Sequence, residues 1–110
     1  MAYHDEDQVF IALAIRDTTN HDSTVATTGE FTAETIIVEN GLNQQVTIQL
    51  QGSRDETTWF DIGNSFNVAA TTDDYATVTD FFPCYRVQAI CSVSPTTGTL
   101  DVWILKAGVA

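Results

Sequence analysis

The residues of this chain that could do chemistry are few, and their spacing matches no recognisable catalytic motif. Its two histidines, His4 and His21, fall in an acidic N-terminal stretch and in a segment rich in Thr and Asp. Neither lies in a nucleophile-elbow sequence, so a Ser-His-Asp site could form only through the fold. The sequence contains no phosphate loop, dinucleotide fingerprint or zinc-ligand spacing. We therefore expect no enzyme activity, no cofactor and no metal site.

Adjacent carboxylates are the other groups with chemical potential. Asp55-Glu56 and Asp73-Asp74 both fall in segments whose composition is typical of turns. Such pairs are usually solvated loop residues, and a cation site at one of them is the alternative that the sequence leaves open.

The two cysteines, Cys84 and Cys91, lie seven positions apart in an apparent strand. This spacing puts them on opposite faces and roughly 20 Å apart. A disulfide needs Cα atoms within about 7 Å. We therefore predict two buried free thiols.

The charge balance restricts the possible partners. Fifteen Asp and Glu face four Lys and Arg, which gives a formal net charge of −11. This surface repels phosphates, so we expect neither nucleic acid nor a membrane as partner. A single lysine, Lys106, among so many carboxylates resembles a halophile's surface, on which concentrated salt screens the repulsion. An ordinary acidic domain is the alternative.

Alternation of apolar and polar residues dominates the chain and predicts strands rather than helices. It is clearest where Val46, Ile48 and Leu50 alternate with polar neighbours, and turn residues such as Asn40-Gly41 and Gly63-Asn64 separate the runs. The sequence predicts an all-β fold with little helix: a two-sheet antiparallel β-sandwich, jelly-roll or immunoglobulin-like. Residues 1–7, acidic and without pattern, are predicted to form a flexible arm before a single domain at residues 8–110.

Two predicted strands, at residues 9–15 and 100–105, are apolar on both of their alternating faces, which indicates that something covers them on both sides. A second subunit or a loop of the same chain could supply the cover. The predicted oligomer interface comprises Val9, Ile11, Leu13, Trp103 and Leu105. Three further aromatics are candidates for a glycan-binding loop surface: Tyr75, Phe81 and Phe82. Trp59 is predicted to pack between the sheets.

The segment from Val46 to Gly63 reads Val-Thr-Ile-Gln-Leu-Gln-Gly-Ser-Arg-Asp-Glu-Thr-Thr-Trp-Phe-Asp-Ile-Gly. It resembles a hairpin that recurs in small virion proteins of tailed viruses, where Gly-Ser-x-Asp ends one strand and Trp-x-x-Ile-Gly opens the next. Later pieces fit the same pattern: Tyr75-x-x-Val78-x-Asp80, Pro83-x-Tyr85-Arg86-Val87 and Gly98-Thr99-Leu100-x-Val102. The resemblance covers roughly residues 36–106, implies a sandwich, and supplies no catalytic residues. With the acidic surface, it suggests a tailed virus of a haloarchaeon.

These observations predict a capsid decoration or cement protein on the outer head surface of a virion. Its expected partners are the major capsid protein and further copies of itself, as a trimer rather than a pentamer. A turret or tail component that binds a host surface glycan is the alternative. A secretory leader has a basic region followed by an apolar one. The segment from Met1 to Gln8 is acidic instead, so we expect no secretory leader there.

Overall fold

The computed structural model describes residues 2–27, 33–78 and 82–109, and in these ranges the chain forms strands joined by turns and loops. Among these residues no helix is long and apolar enough to cross a membrane. The described residues form the strands β1 (Ala2–Leu13), β2 (His21–Asp22), β3 (Ala26–Thr27), β4 (Ala33–Asn40), β5 (Val46–Ser53), β6 (Phe60–Val68), β7 (Thr72–Val78), β8 (Cys84–Ile90) and β9 (Leu100–Val109).

The strands form two antiparallel sheets that pack face to face. Sheet A has the order β1-β9-β4-β7, and sheet B has the order β2-β8-β5-β6, with β3 also paired to β8. Because β2 and β3 pair with the same strand, they act as one interrupted strand, and the fold then has eight. In an immunoglobulin sandwich the first two strands share a sheet. The two packed sheets confirm the predicted sandwich. Here the first two strands belong to different sheets, so of the two predicted sandwich types this one is the jelly roll, which has eight strands.

The core lies between the sheets and follows the alternation that the sequence shows. Val46, Ile48 and Leu50 of β5 point inward, as do Val102 and Ile104 of β9. On β8 the inward residues are Tyr85, Val87 and Ala89. Since the side-chain period of a strand is two, these three strands each give one face to the core and one to the exterior.

Strand β1 departs from the predicted alternation because it carries two bulges. Its register with β9 shifts between Gln8 and Phe10 and again between Phe10 and Leu13. Each bulge inserts an extra residue, so that Val9 and Phe10, although adjacent, are both buried in the core. The backbone of Ala12 has a φ of 46° at the second bulge. The predicted division of residues 9–15 into two alternating faces is therefore wrong.

Residues 2–7, which the sequence assigns to a flexible arm at residues 1–7, instead form the first half of β1 and pair with residues 104–109 of β9. Charged residues are compatible with this strand because it lies at the edge of its sheet. There the Asp7 carboxylate accepts a hydrogen bond from Lys106 Nζ at 2.9 Å. A single domain over residues 8–110 stays a prediction.

Strand β6 runs through the predicted turn at Gly63-Asn64. Ile62 pairs with Leu50 and Phe66 with Ile48, so three residues of β6 lie opposite Gln49 alone. Gly63 takes a φ of 65°, which its missing side chain allows. The turn signal therefore marks a bulge inside one strand, not a boundary between two.

The turn after β5 is held by its own side chains. Asp55 Oδ1 accepts hydrogen bonds from the amides of Thr57 and Thr58 at 2.9 and 3.0 Å, and from Ser53 Oγ at 3.1 Å. These donors, with the Thr58 amide foremost, lower the pKa of Asp55 to about 2.

We expect an NMR titration to find the Asp55 carboxyl far below the usual value of 3.8, near 2. In a Ser53→Ala variant the Asp55 pKa should rise modestly, because one donor is lost and the two amides remain. An ordinary Asp55 pKa would show that these hydrogen bonds do not hold the turn in solution.

Candidate interaction surface

The outer face of sheet A carries a row of apolar side chains. In the register of the sheet, Tyr75 of β7 lies beside Ile37 of β4, and Ile37 lies beside Trp103 of β9. Leu105, two residues after Trp103, projects from the same face. Tyr75 is 66% exposed, and the other three are half-buried by their neighbours within the sheet. We call Tyr75, Ile37, Trp103 and Leu105 the outer strip.

Polar residues border the outer strip along the sheet. One row toward the β4–β5 end, Asp73, Glu39 and Asp101 lie side by side on the same face. Asp101 Oδ1 accepts hydrogen bonds from the Ala12 amide and from Gln8 Nε2 at 2.8 and 3.0 Å. Glu6 pairs with Leu105 at the other end. An apolar centre with a charged rim is the usual anatomy of a protein–protein interface.

The structure places the five predicted interface residues differently. Trp103 and Leu105 belong to the outer strip, and Ile11 is 72% exposed on the bulged part of β1. Val9 is only 4% exposed in the core, and Leu13 is partly buried and packs against the core, so both face inward rather than join the outer strip. The bulges of β1 cause both corrections, because they turn side chains away from the face that strict alternation assigns.

Sequence reasoning missed Ile37 as a member of the outer strip and placed Tyr75 in a loop. The signal for Ile37 was the run of three apolar residues at 36–38. Ile36 and Val38 point into the core, so Ile37 between them must point outward. Tyr75 was predicted to lie in a glycan-binding loop, whereas it lies in the middle of β7.

Of the predicted glycan-binding aromatics, Tyr75 and Phe82 lie on separate surfaces. Phe82 packs partly buried against the core: its ring stacks on Phe60 at 6.3 Å and meets Tyr85 edge-on at 6.2 Å. A Cβ on Gly52 would lie 2.5 Å from the Phe82 ring, so the glycine makes room for it. Phe81 lies outside the described residues.

The outer face of sheet B is polar, in contrast to that of sheet A. Arg86 Nε donates to Gln51 Oε1 at 2.8 Å, and its guanidinium forms an ion pair with Asp22 at 3.6 Å. Trp59 does not pack between the sheets as predicted. Instead its ring lies against the Arg86 guanidinium, 4.4 Å from the ring centroid. These mutual contacts leave sheet B with a hydrogen-bonded face suited to water.

The remaining reactive groups are held in structural roles. His21 Nε2 lies 2.9 Å from Asp17 Oδ1, and this hydrogen bond is the main reason that the Asp17 pKa is lowered. Cys84 and Cys91 are free and buried, as predicted, and burial raises the pKa of both thiols. Thiols with a raised pKa are poor nucleophiles. Within the described residues no group of three or more His, Cys, Asp or Glu could hold a metal ion.

A charged cluster lies between the sheets at the end where β9 finishes. Lys106 Nζ donates to Asp7 Oδ2 and to the Thr27 carbonyl, both at 2.9 Å. Glu34 pairs across the sheet with Lys106 and is 2% exposed. Desolvation raises the pKa of Glu34, and the Tyr85 hydroxyl and the Lys106 charge offset only part of the shift. Lys106 therefore supplies the positive charge that stabilises the Asp7 and Glu34 carboxylates at this end of the sandwich.

No protein-family model matches the sequence, and no curated protein matches it either. Among solved structures, the PBSX exported protein XepA aligns with a TM-score of 0.69 at 14% identity, over 96% of this chain and 37% of the XepA chain. The SPBc2 prophage-derived protein YomS aligns with a TM-score of 0.68 at 13% identity, over 98% of this chain and 96% of YomS. A protein of Bacillus endospore appendages, described as disulfide-linked pili, aligns with a TM-score of 0.58 at 14% identity, over 98% and 89% of the two chains. At these identities the likeness establishes the fold.

Proposed function

We propose that this chain is a structural protein of a virus particle, which acts by symmetric assembly through the outer strip of sheet A. The observation that carries the proposal is the row Tyr75–Ile37–Trp103, which stays accessible on a sheet whose inner face already covers the core. Covering an apolar row of this kind with a second copy is favourable by about 25 cal/mol for each Å² of apolar surface removed from water.

Within the particle, we propose the role of a capsid decoration or cement protein on the outer head surface of a tailed virus. The major capsid protein and further copies of this chain, as a trimer, would be its partners. The prophage origin of YomS and the polymeric state of the endospore appendages support a structural role. A stable contact of this type buries about 1,000 Å² or more. Glycan binding has weaker support, since Tyr75 and Phe82 lie on separate surfaces.

Replacing Trp103 with lysine should convert the oligomer to a monomer. The substitution removes the largest apolar side chain of the outer strip and places a charge at its centre, while the inner face of β9 is unchanged. Light scattering in concentrated salt would measure the mass of the wild type and of the variant. We expect a trimer for the first and a monomer for the second, with melting temperatures within a few degrees of each other.

Ser65→Lys is the matched control, because Ser65 is exposed on β6 of sheet B and the substitution adds the same charge. This variant should remain a trimer. A wild type that is monomeric and that does not bind purified capsids would refute the proposal. Counting copies per particle then separates a decoration protein, present in hundreds, from a turret or tail component, present in far fewer.

A further inference from the structure

The edges of the two sheets differ in their capacity to accept another strand. Strand β1 is interrupted by two bulges, and β2 and β3 are two residues each. Strand β6 is bulged at its centre. Bulges and short strands are common devices that prevent edge-to-edge pairing. Strand β7 pairs with β4 over its whole length of seven residues without a register shift, whereas β1 pairs without one only from Ala2 to Gln8. Among the described residues, β7 is thus the edge strand of more than two residues that is regular from end to end.

A cavity of about 290 Å³ opens beside this edge, between β7 and β6. Six apolar residues line it and connect it to the core: Ile36, Leu50, Ile62, Phe66, Ala76 and Val78. The bulge of β6 forms one side, where Gly63 and Asn64 leave the ladder. Gln49 Nε2 donates to the carbonyls of Leu50 and Ile62 at 2.9 and 3.3 Å and so holds the bulge in place. The volume lies at the small end of the range for ligand pockets and suits side chains rather than a large ligand.

The charges at the β7 edge specify what could bind there. Asp73 and Asp74 are exposed on β7, and Glu39 lies beside Asp73 on the neighbouring strand. Asp74 Oδ1 accepts a hydrogen bond from the Tyr75 amide at 2.8 Å. This contact occupies the Tyr75 amide, and a cationic side chain that binds the Asp74 carboxylate would free the amide for an incoming strand. An incoming strand must therefore be basic to overcome the repulsion of these carboxylates.

A second copy of this chain does not meet that requirement. Lys106 is buried, and Arg86 is held by Gln51 and Trp59 on sheet B. Arg16 and Arg54 lie in connections, not in strands. The strands that the structure describes thus offer β7 no accessible lysine or arginine from another copy, and the basic strand must come from a different protein.

We propose that the β7 edge and the adjoining cavity accept an extended basic segment of another protein, which adds to sheet A as a further strand. Backbone hydrogen bonds along β7 would give the affinity, and alternate apolar side chains entering the cavity would give the specificity. Lysine or arginine side chains would pair with Asp73 and Asp74. This inference goes beyond the proposed function and does not depend on it, since the outer strip faces away from the cavity.

A synthetic peptide in which Lys and Val alternate is the probe. Fluorescence anisotropy should show that it binds the full chain, and hydrogen exchange should show that it protects amides of β7. A peptide with Glu in place of Lys should not bind. A third peptide keeps the lysines and has Pro in place of alternate Val, which removes backbone donors without changing the charge. We expect it to bind at least tenfold more weakly than the Lys-Val peptide.

Two variants locate the site on the protein. Ala76→Phe should fill the cavity, and Asp73→Asn with Asp74→Asn should remove the charge; each should weaken the Lys-Val peptide at least tenfold. Glu56→Gln, at an exposed carboxylate after β5, is the charge control and should bind normally. If Ala76→Phe does not fold, the Asp variants alone decide. Equal binding of the proline peptide, or protection of β1 or β6 instead of β7, would overturn the proposal. Protection of β7 that rises with protein concentration alone would identify a second copy as the occupant and would also overturn it.

Discussion

Replacing Lys106 with methionine is expected to destabilise the fold by about 3 kcal/mol, the lower end of the range for breaking a buried ion pair. The Lys106 side chain is 8% exposed, whereas the Asp7 carboxylate that it pairs with is 40% exposed and keeps part of its hydration. Methionine preserves the apolar part of the side chain, so the loss reports the charge. Urea denaturation near pH 7 would measure it. Arg54→Met, at a side chain that is 83% exposed, is the control and should leave stability nearly unchanged.

The second member of this cluster predicts how the loss depends on pH. Burial raises the pKa of Glu34 in the folded protein above its ordinary value of 4.5. A carboxyl with a raised folded pKa stabilises the fold below the unfolded pKa, and this contribution is lost as the pH rises through the folded pKa. Without Lys106 the Glu34 pKa should rise further. The Lys106→Met variant should therefore lose more stability near pH 7 than below the ordinary Glu34 pKa.

Adding Glu34→Gln to Lys106→Met should recover part of the stability near pH 7, because the amide carries no charge that needs a buried cation. The four proteins of this double-mutant cycle give the coupling between the two residues. A loss that is the same at both pH values, with no recovery in the double variant, would show that Lys106 acts through packing alone.

The alternation in the sequence was sufficient to predict the strands that lie in the middle of a sheet. For β5, β8 and β9 one face is closed by the core, and a shift by one residue would expose it, so pattern and structure agree. An edge strand pairs with a neighbour on one side only, so its register is less constrained. Strand β1 could therefore accept two bulges, which bury Val9 in the core. It could also accept an acidic first half, so residues 2–7 belong to the sheet.

The outer strip could be predicted only in part for a different reason. Trp103 and Leu105 were identifiable because Val102 and Ile104 assign the other face of the same strand to the core. Ile37 and Tyr75 join them through the pairing of β9 with β4 and of β4 with β7. These pairings connect distant parts of the chain, and local spacing carries no information about them. The cavity beside β7 depends on the same long-range pairing and on the β6 bulge.

The acidic surface has a structural consequence that the net charge does not show. Asp73, Glu39 and Asp101 lie side by side across three strands, and like charges directly opposite each other destabilise a sheet. Asp101 is partly compensated by the Ala12 amide and by Gln8. Glu39 stands between two carboxylates. The repulsion is thus concentrated on the rim of the outer strip, where it opposes both folding and assembly.

Salt should therefore raise the melting temperature and strengthen the oligomer together. The screening length is about 30 Å at 0.01 M salt and about 3 Å at 1 M. The molecule measures 44 × 28 × 21 Å, so in dilute buffer each carboxylate interacts with many others across the domain. The expectation is a melting temperature that climbs through a potassium chloride series. In a Glu39→Gln variant the climb should be shallower, because the central charge of the row is gone, whereas Glu56→Gln should change it less.

Acid should reproduce this stabilisation only in part, and the pKa shifts determine where it ends. Protonating unpaired carboxylates removes the same repulsion that salt screens, and Glu34 also favours the fold at lower pH. Asp55, Asp17 and Asp22 have lowered pKa values, so the stability they contribute above 3.8 is lost as the pH falls toward their folded values. Melts at low salt should hence show a maximum in mildly acidic buffer and a decline below it. A melting temperature that is flat across the salt series would refute the salt-adapted surface that the lysine-poor composition predicts, and would leave an acidic domain whose core outweighs its charge.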